Sequence, residues 1–159
     1  MATEVALSPE LRLHPIAARL SSAYNSHCGA SNCVDGAASP IQSQNCDRDG
    51  SSLCHTKVQD SPWLSIDLGA PHRLDSVAIY NRINCCQDRL GRFELWVGPS
   101  LEAHMQHRCA RANASATLGP FVERCDATAR VVTVLLPGAD RVLNLQGAAV
   151  LEVEPWVAD

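Results

Sequence analysis

A chain of 159 residues has the length of one domain, and a composition of 46% hydrophobic and 19% charged residues is that of a globular core rather than a disordered chain. With 13 Lys and Arg against 17 Asp and Glu, a formal charge of −4 and only seven aromatics, it offers neither the basic face nor the stacking surface of a nucleic-acid binder. No apolar run approaches the ~18 residues that a membrane helix needs.

In chain order, residues 1–24 are mixed, and Pro9 and Pro15 break any long helix. From Asn25 to Asp60 the chain is rich in Ser, Asn, Asp, Gly and Cys without a sustained hydrophobic period. That predicts a long looped region, of the kind that usually carries function. Strands follow. Leu64, Ile66 and Leu68 alternate with Ser65 and Asp67, and Val77 and Ile79 with Ala78 and Tyr80. Phe93, Leu95 and Val97 alternate with Glu94 and Trp96, up to Gly98-Pro99. This period of two marks half-buried strands. Residues 100–120 are polar and Ala-rich, equally readable as loop or short helix. Ala129 to Leu136 is β-branched and apolar before Pro137-Gly138, and a last strand is expected near Val150 to Val153. Short strands with turn signals and no long helix predict a single all-β domain over 1–159, a sandwich or jelly roll.

Eight cysteines (Cys28, Cys33, Cys46, Cys54, Cys85, Cys86, Cys109 and Cys125) form an even, dense set that predicts disulfides and an extracellular, oxidising location. A zinc-stabilised intracellular domain is the weaker alternative, because the spacings lack paired C-x2–4-C knuckles. The opening Met-Ala-Thr-Glu-Val-Ala carries no secretory leader pattern, which fits a mature or excised domain. Asn113-Ala-Ser115 is a glycosylation sequon.

The stretch with most chemistry is Asn81-Arg82-Ile83-Asn84-Cys85-Cys86-Gln87-Asp88-Arg89-Leu90. Neighbouring cysteines can close a strained eight-membered ring, giving a flat apolar platform for the C–H face of a sugar; equally, each can pair elsewhere. Arginine presents its donors in a fixed fork, and an imidazole such as His55 can donate or accept. No phosphate loop, Gly-x-Ser-x-Gly elbow or His-Glu-x-x-His helix is present. Nor are the paired carboxylates of a glycosidase cleft expected in this chain.

Taken in order, Ser31-Asn32-Cys33-Val34-Asp35-Gly36, Cys54-His55-Thr56, Pro62-Trp63-Leu64-Ser65-Ile66-Asp67-Leu68-Gly69 and Asn81-Arg82-x-Asn84-Cys85-Cys86-x-x-Arg89-Leu90 resemble the F-type lectins, or fucolectins. The resemblance covers about residues 10–155. The specific element is a His followed by an Arg 27 positions later and another after 7 more, with a Cys-Cys pair between the two arginines.

The resemblance implies a discoidin-like, galactose-binding jelly roll and a non-catalytic site for terminal L-fucose on glycans. His55, Arg82 and Arg89 would form its polar clamp and the Cys85–Cys86 disulfide its platform. It further implies a Cys109–Cys125 disulfide, with a structural calcium held by Asn32, Asp35, Ala37, Ser52, Leu151 and Glu152. Homo-oligomers or tandem modules would supply avidity. Asn84 stands where the family has an Asp that buttresses an arginine, so affinity or specificity is expected to shift. No cysteine near Glu152 can receive the family's bond from the loop. Cys28, Cys33, Cys46 and Cys54 then pair among themselves, Cys28–Cys33 with Cys46–Cys54 being the favoured arrangement. Loop residues Ile41, Asn45 or Arg48 could reach a second sugar. Rival readings are a discoidin-like adhesion domain for another glycan, a protein or a lipid, and an accessory domain of a larger enzyme.

Overall fold

The computed structural model describes residues 11–35 and 53–154. Among the described residues seven strands form one antiparallel ladder: β1 (Ala17–Leu20), β2 (Cys54–His55), β3 (Trp63–Asn81), β4 (Arg92–Gly98), β5 (His107–Asn113), β6 (Phe121–Leu135) and β7 (Asn144–Glu152). Their order is β2-β7-β3-β6-β4-β5, with β1 also against β3. The fold is the expected all-β jelly-roll type. Among the described residues no helix is long and apolar enough to cross a membrane.

The ladder encloses a core because its two longest strands belong to both layers. In the first part of β3, Leu64–Asp67 pair with β1 and Trp63–Asp67 with Val131–Leu135 of β6. After a register shift, its second part pairs with Phe121–Ala129 of β6 and with β7. Leu64, Ile66, Val132 and Val134 from one part meet Val77, Ile79, Leu145 and Val150 from the other in a single buried cluster, with Phe93 and Leu95. The alternate residues Ala78, Ala149 and Leu151 pack on the outer face under Leu11 and Tyr80. Period two thus sorts each side chain to one side of the sheet.

The two apolar runs at 64–68 and 77–79, separated by Gly69-Ala-Pro71, prove to be one 19-residue strand. Gly69 takes the bend with φ +86°, and Asp67 secures it. The Asp67 carboxylate accepts the Gly69 N–H at 2.9 Å and two bonds from Arg130 of β6, Nε at 2.9 Å and Nη2 at 3.1 Å. These contacts hold its pKa below the ordinary value, the Arg130 hydrogen bond contributing most and outweighing burial. A carboxyl depressed in the folded state stabilises the protein above the ordinary carboxylate pKa of about 4, and that contribution is lost as pH falls through the lower folded value. Asp67→Asn is therefore expected to cost ~1.5–3 kcal/mol at neutral pH, the range for hydrogen bonds to charged groups. Melting temperatures of both proteins from pH 6 to pH 2 check this. The gap should narrow with acid, and a constant gap would exclude the ion pair as its cause.

Three strands lie where sequence periodicity gave none: β1, β2 inside the 25–60 stretch read as loop, and β5; β7 begins earlier than the last strand expected. β1 is short and half exposed. β5 is a polar edge strand, HRCARAN, in the stretch read as loop or helix. Charged side chains suit such an edge because they discourage pairing with other chains. β7 starts six residues before Val150, on Asn144 and Gln146, which are buried polar residues rather than apolar ones. Asn113 of the sequon ends β5 and is exposed.

The cysteine framework differs from the favoured arrangement. Cys33 bonds Cys54, not Cys28, and Cys54 therefore does not bond Cys46. Cys28 is itself disulfide-bonded, to a partner outside the described residues. The reason is local: β2 lies against the start of β7, and the short 3-10 turn Ala30–Cys33 packs onto both. Cys33 Sγ comes within 3.3 Å of the Leu145 carbonyl oxygen, beside the Cys54↔Leu145 register pair. Cys85–Cys86 and Cys109–Cys125 are both joined, and the latter ties the edge strand β5 to β6.

Candidate functional site

β3 delivers the Cys-Cys segment at its C-terminal end. Asn81, 1% exposed, pins both sides of the turn that follows. Its Nδ2 donates to the Gln87 and Thr117 carbonyls, each at 2.9 Å, and its Oδ1 accepts the Arg82 N–H at 2.9 Å. Gln87 Nε2 closes the turn by donating to the carbonyls of Arg82 at 3.0 Å and Ile83 at 2.8 Å. Within that frame the Cys85–Cys86 Cα atoms stand 3.8 Å apart, and Cys86 is left-handed at φ +67°, ψ +28°. A single 3-10 turn, Gln87–Arg89, then raises Arg89, whose N–H bonds the Cys86 carbonyl at 3.1 Å.

The two arginines are not alike. Arg82 is only 5% exposed, and its Nε donates to Asn84 Oδ1 at 2.8 Å. Asn84 thus does for Arg82 with an amide oxygen what a carboxylate would do with a charge. Arg89 is exposed.

His55 arrives from the other side, on β2. Its N–H bonds the Cys28 carbonyl at 3.0 Å, and its own carbonyl accepts the Tyr24 N–H at 2.8 Å. The Tyr24 ring sits 4.8 Å from the imidazole, tilted by 41°. Nδ1 lies 2.7 Å from the Thr56 carbonyl, which can only accept, so Nδ1 carries a proton. The neutral ring then has its acceptor lone pair on Nε2.

These residues meet in a cleft of about 870 Å³ lined by His55, Arg82, Cys85, Cys86 and Arg89, together with Tyr24, Thr56, Lys57, Val58, Asp88, Asp140, Arg141 and Val142. Among the described residues four cations and two carboxylates line the walls. Asp88 and Asp140, both exposed, are carboxylates that sequence reading did not expect in a cleft. Arg141 was also missed. It sits in a turn without periodicity, and nothing in the sequence ties it to the Cys-Cys loop. Burial and the charge of Arg92 push its pKa down. Ile41, Asn45 and Arg48 lie outside the described residues.

Among the described residues the calcium set does not come together. Asn32 lies in the 30–33 turn, where Nδ2 donates to the carbonyls of His27 and Leu53, each at 2.7 Å. Asp35 follows that turn, and Ala37 and Ser52 lie outside the described residues. The turn abuts Leu145 at the start of β7, whereas Leu151 and Glu152 end that strand, roughly 20 Å along it at ~3.3 Å per residue. Calcium takes ligands at about 2.3–2.6 Å, so one ion cannot use both groups. Among the described residues no cluster of three or more His, Cys, Asp or Glu could hold a metal. The Glu152 carboxylate instead pairs with His72 Nδ1 at 3.2 Å. Accordingly, Glu152→Gln is expected to leave unchanged any difference in melting temperature between calcium and EDTA. Loss of that difference in the variant would restore Glu152 as a ligand.

A second polar cluster is structural. Ser65 Oγ is 2.6 Å from His104 Nδ1 and 2.7 Å from Thr133 Oγ1, and the Trp63 ring is 4.4 Å from that imidazole. Burial, followed by the charge of Arg19, lowers the His104 pKa. Ser65 is 1% exposed, so its hydroxyl cannot meet a substrate.

Comparison with known proteins fits this geometry. Residues 32–134 match the family described as NedA-like, galactose-binding domain (F5/F8 type C). The chain is 28% identical over 131 residues to a fucolectin of the eel Anguilla anguilla, covering 77% of each chain. It is 36% identical over 97 residues to a pentraxin fusion protein of Xenopus laevis, covering 58% of this chain but 23% of that one. The serum F-lectin (fucolectin) of striped bass, Morone saxatilis, superposes with a TM-score of 0.72 at 32% identity, over 86% of this chain and 46% of that one. The chain thus spans less than half the length of those last two relatives. With the match running from the Asn32 turn through both arginines to the end of β6, the chain belongs to the NedA-like, galactose-binding domain family, and within it the chain is similar to fucolectins.

Proposed function

We propose that the cleft is a non-catalytic carbohydrate-binding site for terminal L-fucose on glycans, in a domain that acts outside the cell. The observation that carries this is the meeting of His55, Arg82 and Arg89 with the Cys85–Cys86 disulfide around one cleft. A neutral sugar gains little from net charge; it needs donors and acceptors fixed in advance and an apolar surface for its C–H face. Arg82 and Arg89 donate to ring and hydroxyl oxygens. His55 Nε2 accepts from a hydroxyl, its tautomer being set by Thr56. The disulfide carries the apolar edge of the ring. The fucolectin relatives support fucose as the sugar. Asn84 keeps Arg82 oriented through an amide oxygen on its Nε. The disulfides suit an oxidising compartment, and avidity would come from several copies or tandem modules.

The test is a glycan array with the oxidised protein, displayed multivalently, alongside titration of free L-fucose and galactose. Selective capture of fucosides, released by free fucose and without hydrolysis, is the expected result. Capture indifferent to fucose would move the ligand to another glycan, and release of free sugar would make Asp88 and Asp140 catalytic candidates.

A further inference from the structure

The cleft has two walls that come from distant parts of the sequence, and one side chain joins them. Arg141 follows the turn at Gly138, and its backbone forms an antiparallel bridge with Gln59, with N–H to carbonyl bonds of 2.9 Å in both directions. Through this bridge it belongs to the wall that continues from His55. Its guanidinium crosses to the opposite wall. Nη2 donates to the carbonyls of Leu90 at 2.6 Å and Arg89 at 3.2 Å, and Nη1 to those of Arg92 at 2.7 Å and Pro137 at 2.9 Å. Three of these four acceptors belong to the segment that emerges from the Cys-Cys turn. That segment contains Gly91 at φ +43°, and Ala114 donates its N–H to the Gly91 carbonyl at 2.8 Å. It has no strand pairing of its own until Arg92, so the fork of Arg141 supplies contacts a ladder would otherwise make.

We infer that Arg141 is the positioning residue of the sugar site: it fixes the main chain at Arg89–Arg92 relative to the His55 wall and so sets where the Arg89 guanidinium can reach. This rests on the clamp proposed above. A guanidinium is suited to the task because its planar fork can serve several carbonyls at once, which an ammonium cannot do in one geometry. Arg141 acts here through Arg89, and the cleft keeps its other donors without it.

The test is a double-mutant cycle with two substitutions, Arg141→Gln and Arg141→Lys, each in the wild-type and the Arg89→Ala background. Affinity for a fucosylated oligosaccharide is read by calorimetry, and amide hydrogen exchange is followed at residues 86–92. In the wild-type background each substitution is expected to lower affinity about tenfold, within the coupling expected of residues in contact. Exchange should rise at 89–92 more than in β3 or β6. With Arg89 already removed, the same substitutions should change affinity less than about twofold, because there is nothing left to position. Equal losses in both backgrounds would overturn the inference, as would unchanged exchange at 89–92. If the wild-type protein binds no fucoside, the proposed function fails; the exchange arm still decides whether Arg141 orders this segment. Arg141→Lys keeps the charge and guards against loss of folding in Arg141→Gln.

Discussion

Arg82→Ala is expected to reduce fucoside affinity by at least about 100-fold, the ~3 kcal/mol that a side chain making two charge-assisted hydrogen bonds supplies. The buried position of Arg82 changes how that result must be read. Both arginines, seen only in sequence, suggest exposed donors whose removal spares stability. In the structure only Arg89 is exposed, while Arg82 is 5% exposed and bonded to Asn84. Arg82→Ala therefore also opens a gap behind the Cys-Cys turn and removes a partner of Asn84, at a cost of ~1–2 kcal/mol in stability. Calorimetry on protein shown to be folded separates the two effects. Asn84→Ala supplies the intermediate case: the guanidinium remains but loses its support, so a loss of only a few-fold is expected. Retention of wild-type affinity in Arg82→Ala would remove the clamp from the site.

The second large effect is expected from the Cys33–Cys54 bond. Cys33 is 3% exposed and Cys54 is fully buried, with 21 residues of sequence separation. Closing a loop of that length restricts the unfolded chain by ~3 kcal/mol in the chain-entropy account. Replacing both cysteines by alanine should lower the melting temperature by roughly 6–12 °C for a protein of this size. Sugar affinity should fall as well, since Cys54 immediately precedes His55 and holds β2 against the 30–33 turn. A melting temperature within about 2 °C of wild type would show that β2 is secured by its strand pairing alone.

How far the sequence foretold this molecule depends on what each element needed. Strands that bury one face declared themselves, because Leu64, Ile66, Val77, Ile79, Phe93 and Leu95 must alternate to reach a common core. Gly69 and Pro71 concealed that two of those runs are a single strand, since the same residues that permit a bend also end strands elsewhere. β5 was invisible because an edge strand with polar side chains has no hydrophobic period. The meeting of His55, Arg82 and Arg89 was legible only through a spacing shared with a family. Periodicity could not bring residue 55 beside residue 82. The cysteine pairing was misread for a related reason: Cys33 meets Cys54 through the packing of a turn on β7, and local spacing carries no record of that. Arg141 acts entirely through main-chain carbonyls, which every residue has, so no pattern of side chains could announce it.

The pairing of β2 with β7 also bears on how the molecule comes into being at the ribosome. Among the described residues the strand partner of Cys54 and His55 is Leu145 and Asn144, about ninety residues later. The whole clamp is encoded by residue 89, yet the strand that seats its histidine has still to be made. At 5–20 residues per second the nascent chain spends roughly 3–11 s between those two points, with both arginines already translated. For most of that interval β3 also lacks β6, and throughout it β7, leaving long, apolar strand edges exposed. Such non-local pairing makes folding slow and leaves the growing chain in need of protection until its last strand arrives.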